Sequence, residues 1–81
     1  MKTLPYHLSE VQTFYDIPVG DETFVKVVGD DRMIWYDWII YKGEAVIDYS
    51  DNGYGQAAIA LRDGLIAYFH VDEEHRSFLR T

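Results

Sequence analysis

Cysteine is absent from this chain of 81 residues, which excludes a disulfide framework and a zinc site built on thiolates. The chain also lacks any stretch approaching the roughly 18 uncharged apolar residues of a membrane-spanning helix. Residues 1–8 contain one lysine and no apolar segment typical of a secretory signal. We therefore predict a soluble protein of the reducing cytoplasm.

Basic residues are scarce. Seven lysines and arginines face 14 aspartates and glutamates, a net charge of −7, and the region from Asp16 to Asp51 holds nine acidic and only three basic side chains. Such a field repels phosphate backbones and attracts basic surfaces, so we predict no direct contact with nucleic acid. The alternative is that the charge serves solubility alone, since net charges of about 2–8 in magnitude are normal for a small domain.

The length of the chain predicts a single domain spanning residues 1–81. A chain of this size buries only about 60% of its unfolded surface. An aromatic content of 16% compensates in part, because large rings bury the most area for each residue. No repeat, linker or low-complexity segment divides it.

Three segments have the β-branched and aromatic composition of strands: "TFVKVV" (residues 23–28), "MIWYDWIIY" (residues 33–41) and "EAVIDY" (residues 44–49). Turns are predicted between them, at Gly29–Arg32 and at Lys42-Gly43. Residues 9–17 are ambiguous. Ser9 and Gln12 fit a helical capping box, whereas apolar residues alternate with polar ones from Val11 onward, and we favour a strand.

From Gln56 the apolar period changes to that of a helix, with one face formed by Ala58, Leu61, Leu65, Tyr68 and Phe69. The prediction is one long helix; in the alternative, Gly64 ends it and Leu65–Val71 forms a fifth strand. The fold class predicted is therefore α+β: an antiparallel sheet of three to four strands with one C-terminal helix packed on one face.

Hairpins closed at Val28/Met33 and at Tyr41/Glu44 would pair Asp37 with both Phe24 and Asp48. The two hairpins agree on which side chains share a face, and a slip by one residue would invert every assignment. The face predicted to lie under the helix carries Val25, Val27, Ile34, Tyr36, Trp38, Ile40, Ala45, Ile47 and Tyr49. The second face carries Phe24, Lys26, Trp35, Asp37, Ile39, Tyr41, Glu44, Val46 and Asp48.

The second face is unusual because aromatic and aliphatic side chains alternate with carboxylates on a side that the helix leaves bare. Exposed apolar patches mark interaction sites, and tryptophan and tyrosine are enriched at binding hot spots. In the alternative, the N-terminal segment or a second copy of the chain covers this face. The partner-binding residues predicted on this face and the adjoining turn are Phe24, Asp30, Asp31, Trp35, Asp37, Tyr41, Glu44 and Asp48.

Motifs that carry chemistry are missing. Asp37 and Asp48 could form a catalytic carboxylate pair, but a sheet of this size offers no substrate cleft. The histidines of "HVDEEH" (residues 70–75) stand five apart rather than four, and a weak ion site using His70 and Glu74 is less favoured than a solvated helix end. We predict a protein that is not an enzyme and has no metal or cofactor.

Three functions fit. In size, acidity and aromatic content the chain resembles the small phage-encoded anti-CRISPR proteins, some of which block the positively charged DNA-binding channel of an effector complex. That resemblance implies an inhibitor acting in the host cytoplasm as a DNA mimic. "SDNGYGQAAIALRDGLIAYF" resembles the loop and alanine-rich helix of HicB-type antitoxins, which implies an antitoxin or adaptor module. In the third hypothesis, a structural protein hides its aromatic face in a homodimer.

Overall fold

The computed structural model describes residues 2–80, and the side chains of residues 2–70. Four strands form one antiparallel sheet in the order β1-β2-β3-β4, and one helix packs against it. The predicted α+β class is confirmed, with four strands. Their bounds are β1 Gln12–Gly20, β2 Thr23–Asp30, β3 Trp35–Lys42 and β4 Ala45–Tyr49, and the helix α1 spans Ala57–Arg80.

The ambiguous N-terminal segment contains a single 3-10 turn, Leu8–Glu10, followed by β1. The favoured prediction of a strand is confirmed from Gln12 onward. Ser9 lies inside the turn, whose N-cap is His7 and makes no side-chain capping bond. The alternative of a helix that begins with a capping box was wrong, because the backbone continues at once into the sheet.

The helix α1 runs through Gly64 without a break, so the alternative of a fifth strand was wrong. Glycine is needed there for close packing: a Cβ on Gly64 would lie 2.8 Å from Trp38 Cβ and 3.0 Å from Val25 Cγ1. Ala60 is fully buried beside it, whereas Ala58 and Phe69, both predicted to face the core, are exposed. In the part of the chain that the structure describes, no helix is long and apolar enough to cross a membrane.

The β2–β3 hairpin closes later than predicted. Asp30 pairs with Trp35, and Phe24 pairs with Tyr41 rather than with Asp37. The total slip of four residues is even, so β2 and β3 keep their predicted faces. Ile34 is the exception: it lies in the four-residue turn before β3 and is 64% exposed, which corrects its assignment to the core.

The β3–β4 pairing also departs from the prediction: the hairpin closes at Lys42↔Ala45 rather than at Tyr41/Glu44, and an irregularity between Tyr41 and Ile40 shifts the register by one further residue. Asp48 therefore pairs with Ile40, and the predicted Asp37–Asp48 pair was wrong. An extra residue in one strand redirects the side chains beyond it. Ile47, expected in the core, is accordingly 39% exposed, and Tyr49 packs on the second face.

Both faces of the sheet are covered. The helix closes the first over a core that contains the predicted strand residues Val25, Val27, Tyr36, Trp38 and Ile40, together with Ala60, which was not predicted. On the second face Val28, Ile39 and Val46 form another buried cluster, against which Leu4, Tyr6 and Val11 pack. We call residues 2–11 the N-terminal strap. It starts at the edge of β4, where the Lys2 N–H donates to the Val46 carbonyl at 3.0 Å.

Candidate protein-binding surface

The N-terminal strap covers much of the face that was predicted to bind a partner. The Tyr6 ring meets the Trp35 ring edge to face at a centroid distance of 5.6 Å, and Trp35 is half-buried. Of the two alternatives for covering this face, the N-terminal segment is therefore the one observed. Trp35 does not present a free aromatic surface.

Asp37 is 4% exposed, so its predicted position on a solvent-facing surface was wrong. Its Oδ1 accepts hydrogen bonds from the Ser50 hydroxyl at 2.8 Å and from the Gly53 N–H at 3.1 Å. The Ser50 Oγ in turn accepts the Trp38 N–H at 2.9 Å. The carboxylate thus holds the loop after β4 against β3, which is a structural role.

Asp48 is engaged by the strap. Its Oδ1 lies 2.6 Å from Lys2 Nζ, and it also accepts the Tyr49 N–H at 2.9 Å. The hydrogen bond and the charge of Asp48 raise the pKa of the Lys2 ammonium. This contact ties the start of the strap to β4.

The hydroxyl of Tyr6, a residue of the strap, is buried with no hydrogen-bond partner among the described residues. Burial, and secondarily the charge of Asp37, raise the pKa of Tyr6 far above its ordinary value. An unfolded tyrosine ionises near pH 10, so the native state keeps this proton longer than the unfolded chain does. Stability is therefore fully present below about pH 10 and falls as the pH rises toward the folded pKa.

Replacing Tyr6 with phenylalanine tests this assignment. The variant Tyr6→Phe should match or exceed the wild type in free energy of unfolding at neutral pH, because no hydrogen bond is lost. It should lose less stability than the wild type between about pH 9 and pH 11, because its buried ring cannot ionise. Urea unfolding at each pH measures both. An equal alkaline loss in the two proteins would show that Tyr6 ionises freely.

The other predicted residues divide between two ends of the sheet. Phe24, Tyr41 and Glu44 lie toward the end where the β1–β2 and β3–β4 turns meet. Asp30, Asp31 and Trp35 lie toward the other end, at the β2–β3 turn. Asp30 lies six positions after Phe24 in β2, about 20 Å away at the rise of a strand. The structure therefore does not bring the eight predicted residues into one patch.

The first end contains an open depression of about 340 Å³, which we call the turn-end depression. The Gly43 N–H donates to the Glu22 carbonyl at 2.7 Å and so joins the two turns beside it. Phe24 is 38% exposed there and Leu8 40%. Three predicted residues belong to the lining, which consists of Leu8, Asp16, Phe24, Lys26, Tyr41, Gly43 and Glu44.

Charges within the turn-end depression are partly neutralised. Lys26 Nζ lies 3.9 Å from Asp16 Oδ2 and 5.4 Å from the centre of the Tyr41 ring. Burial, and then the negative charge of Asp16, raise the pKa of Tyr41, so its hydroxyl stays neutral. Glu44 is exposed and forms no ion pair with any side chain of residues 2–70. We call the apolar side chains of the lining, Leu8, Phe24 and Tyr41, its floor. We call the exposed carboxylate of Glu44, with the exposed acidic residues of the neighbouring β1–β2 turn, its acidic rim.

Two lining residues, Leu8 and Asp16, were missed in the sequence. Asp16 faces Lys26 across β1 and β2, and an opposite charge at that position is the signal that could have found it. Using the signal requires the β1–β2 register, which has irregularities at two places. Leu8 reaches the depression from the strap and carries no local signal.

Among the described residues, no group of three histidine or carboxylate side chains is placed to hold a metal ion. His70 is exposed at the edge of that region. The side chain of Glu74, the second member of the ion site considered in the sequence, lies outside the described residues.

Comparison with protein-family models, with curated proteins and with solved structures found no match to this chain. The candidate site consequently stands on its own geometry.

Proposed function

We propose that this chain is a non-enzymatic protein-binding inhibitor that occupies a basic, nucleic-acid-binding surface of a partner, as some of the anti-CRISPR proteins that it resembles do. The observation that carries the proposal is the turn-end depression, in which an apolar floor meets an acidic rim. It belongs to a chain with a net charge of −7. This combination suits contact with a lysine- or arginine-rich surface.

The floor supplies the binding energy in this proposal. Phe24 and Leu8 each keep more than a third of their surface in water, next to the half-buried Tyr41. Large side chains that become fully desolvated near the centre of an interface dominate affinity, and truncating one to alanine costs about 2 kcal/mol or more. Phe24 is the expected anchor because its aromatic ring is the largest exposed side chain of the lining.

The rim supplies steering and selectivity. Asp21 and Glu22 stand in the turn that Gly43 contacts, and like Glu44 they are exposed. This end of the sheet has two basic residues, Lys26 and Lys42, and the charge of Lys26 is partly neutralised by Asp16. Complementary charges raise association rates and suppress wrong partners more than they raise affinity. Inhibition should therefore weaken as salt is added.

Nucleic-acid-binding proteins are the partners that this chemistry favours, because they carry basic surfaces in order to hold phosphates. The same acidic rim repels free nucleic acid, so the chain would compete with DNA for the partner without binding DNA. The antitoxin or adaptor and the homo-oligomer stay as alternatives. Light scattering at low and high salt distinguishes the last of these, since a homo-oligomer would exceed the monomer mass without any partner.

The test uses a panel of purified, guide-loaded CRISPR effector complexes, with target DNA binding measured as the chain is added. At least one complex should lose DNA binding, and less so at high salt. Glu44→Lys should weaken inhibition by about tenfold, because it reverses a charge on the rim. Asp51→Lys is the matched control: it alters the net charge equally but lies in the loop after β4, and it should change inhibition by no more than about twofold.

Two results would contradict the proposal. If no complex in the panel loses DNA binding, the proposed class of partner is wrong. If Glu44→Lys and Asp51→Lys weaken inhibition equally, the chain acts through its overall charge, and the turn-end depression is not the contact.

A further inference from the structure

The β2–β3 turn carries the two most exposed large apolar side chains among residues 2–70. Met33 is 72% exposed and Ile34 is 64% exposed. They are adjacent and stand at the tip of a hairpin, at the opposite end of β2 from the turn-end depression. We call this pair the apolar tip. It makes no contribution to either buried cluster.

The backbone of the apolar tip is unusual for the residue that it carries. Ile34 has φ +53°, in the left-handed region that disfavours side chains branched at Cβ. Asparagine or glycine would adopt this conformation more readily. Since Ile34 is also mostly in water, neither the turn nor the core accounts for isoleucine at this position.

The tip is held in place by its flanking residues. Asp30 Oδ1 accepts the Arg32 N–H at 2.9 Å and the Met33 N–H at 3.4 Å. The Asp31 side chain accepts the Tyr36 hydroxyl at 2.8 Å. A turn fixed in this way presents its apolar side chains without a large ordering cost on binding.

Acidic side chains surround the base of the tip. A cavity of about 270 Å³ beside the turn is lined by Glu10, Asp30, Asp31 and Arg32, together with Gln12 and Gly29. Arg32 Nε lies 3.9 Å from Asp30 Oδ1, and the Arg32 side chain is 93% exposed. Arg32 therefore does not neutralise the charges of Glu10 and Asp31, which are both exposed. A partner surface complementary to this region is apolar at its centre and basic around it.

We propose that Met33 and Ile34 form an apolar anchor that inserts into a pocket of the partner protein rimmed by lysine or arginine. The inference deepens the proposed function and rests on it, because it names a second contact with the same partner, about 20 Å along β2 from the turn-end depression. An interface of standard size, about 800 Å² on each side, is wide enough to include both.

The test compares Met33→Ser and Ile34→Asn with the control Ile66→Gln, which replaces a helical isoleucine that is 48% exposed. The probes are the CRISPR effector complexes described above, and lysozyme and cytochrome c as basic proteins that do not handle nucleic acid. Affinity is measured by calorimetry. Each tip variant should weaken binding by about tenfold or more, and the control by no more than about twofold.

A stability measurement accompanies the affinities and decides whether Ile34 serves the fold. Ile34→Asn should leave the Tm unchanged or raise it by a few degrees, because asparagine tolerates the left-handed conformation. A decrease in Tm of more than about 4 °C would overturn the inference, since it would show that isoleucine stabilises the turn.

The binding outcomes separate this inference from the proposed function. If an effector complex binds all variants equally, the proposed function stands and the apolar tip is wrong. If lysozyme or cytochrome c binds through the tip while no effector complex does, the tip stands and the proposed function is wrong. Binding to none of the probes contradicts both.

Discussion

Replacing Gly29 with alanine is expected to lower the free energy of unfolding by about 3 kcal/mol or more. A Cβ at this position would lie 2.1 Å from the Trp35 carbonyl oxygen and 2.9 Å from Tyr36 Cα. Both are backbone atoms of the neighbouring strand, so they can move only if β2 and β3 separate. Because small domains are stable by only about 5–15 kcal/mol, this change removes a large part of the total.

Gly55→Ala is the matched control for Gly29→Ala. No atom lies within 4 Å of a Cβ built on Gly55, and its φ is not in the left-handed region. Its stability should stay within about 0.5 kcal/mol of the wild type. Urea unfolding followed by circular dichroism measures both variants. Equal stability of Gly29→Ala and Gly55→Ala would mean that the β2–β3 register is not the one described.

Replacing Asp37 with alanine is expected to lower the free energy of unfolding by about 2–4 kcal/mol. The change removes the acceptor for the Ser50 hydroxyl and for the Gly53 N–H, and it leaves a void in a buried site. Asp37→Asn should cost less, because the amide oxygen can still accept. A residue that served only to bind a partner would behave differently, because replacing it would leave the free energy of unfolding unchanged.

Asp51→Ala is the control for Asp37, because Asp51 is an exposed aspartate in the adjacent loop. It should change stability by less than about 0.5 kcal/mol. If Asp37→Ala were as stable as Asp51→Ala, the carboxylate would be exposed in solution and the original assignment to a binding face would be restored. Thermal unfolding at neutral pH is sufficient to distinguish the two outcomes.

The fold class was predictable because it depends on the spacing of apolar residues along each strand and helix, which can be read from the local sequence. The assignment of β2 and β3 side chains to the two faces was also correct, although the hairpin was predicted to close in the wrong place. The register differed by an even number of residues, which leaves each side chain on its face. The turn was misplaced because of Gly29. The sequence Gly29-Asp30-Asp31 has the composition of a turn, yet Gly29 lies inside β2, where the backbones of β2 and β3 approach closely. Only the three-dimensional contact distinguishes these uses of glycine.

The candidate site was predicted less well because it depends on contacts between distant parts of the chain. The burial of Asp37 comes from a loop 13–16 residues later in the sequence. The strap covers the second face through Leu4 and Tyr6, which precede any regular element. The sequence of β3, in which aromatic residues flank the single carboxylate Asp37, did not indicate which of the two alternatives would cover this face. Phe24, Tyr41 and Glu44 stayed in the candidate site because they line the turn-end depression, which the strap reaches through Leu8 without filling it.

The most direct test of the account compares two exposed phenylalanines in binding to an effector complex that the chain inhibits. Phe24 lines the turn-end depression, and Phe69, which is 60% exposed, lies on the helix. Calorimetry should show that Phe24→Ala weakens binding by about tenfold or more, whereas Phe69→Ala changes it by no more than about twofold. Equal losses, or a larger loss for Phe69→Ala, would place the contact elsewhere and contradict the account.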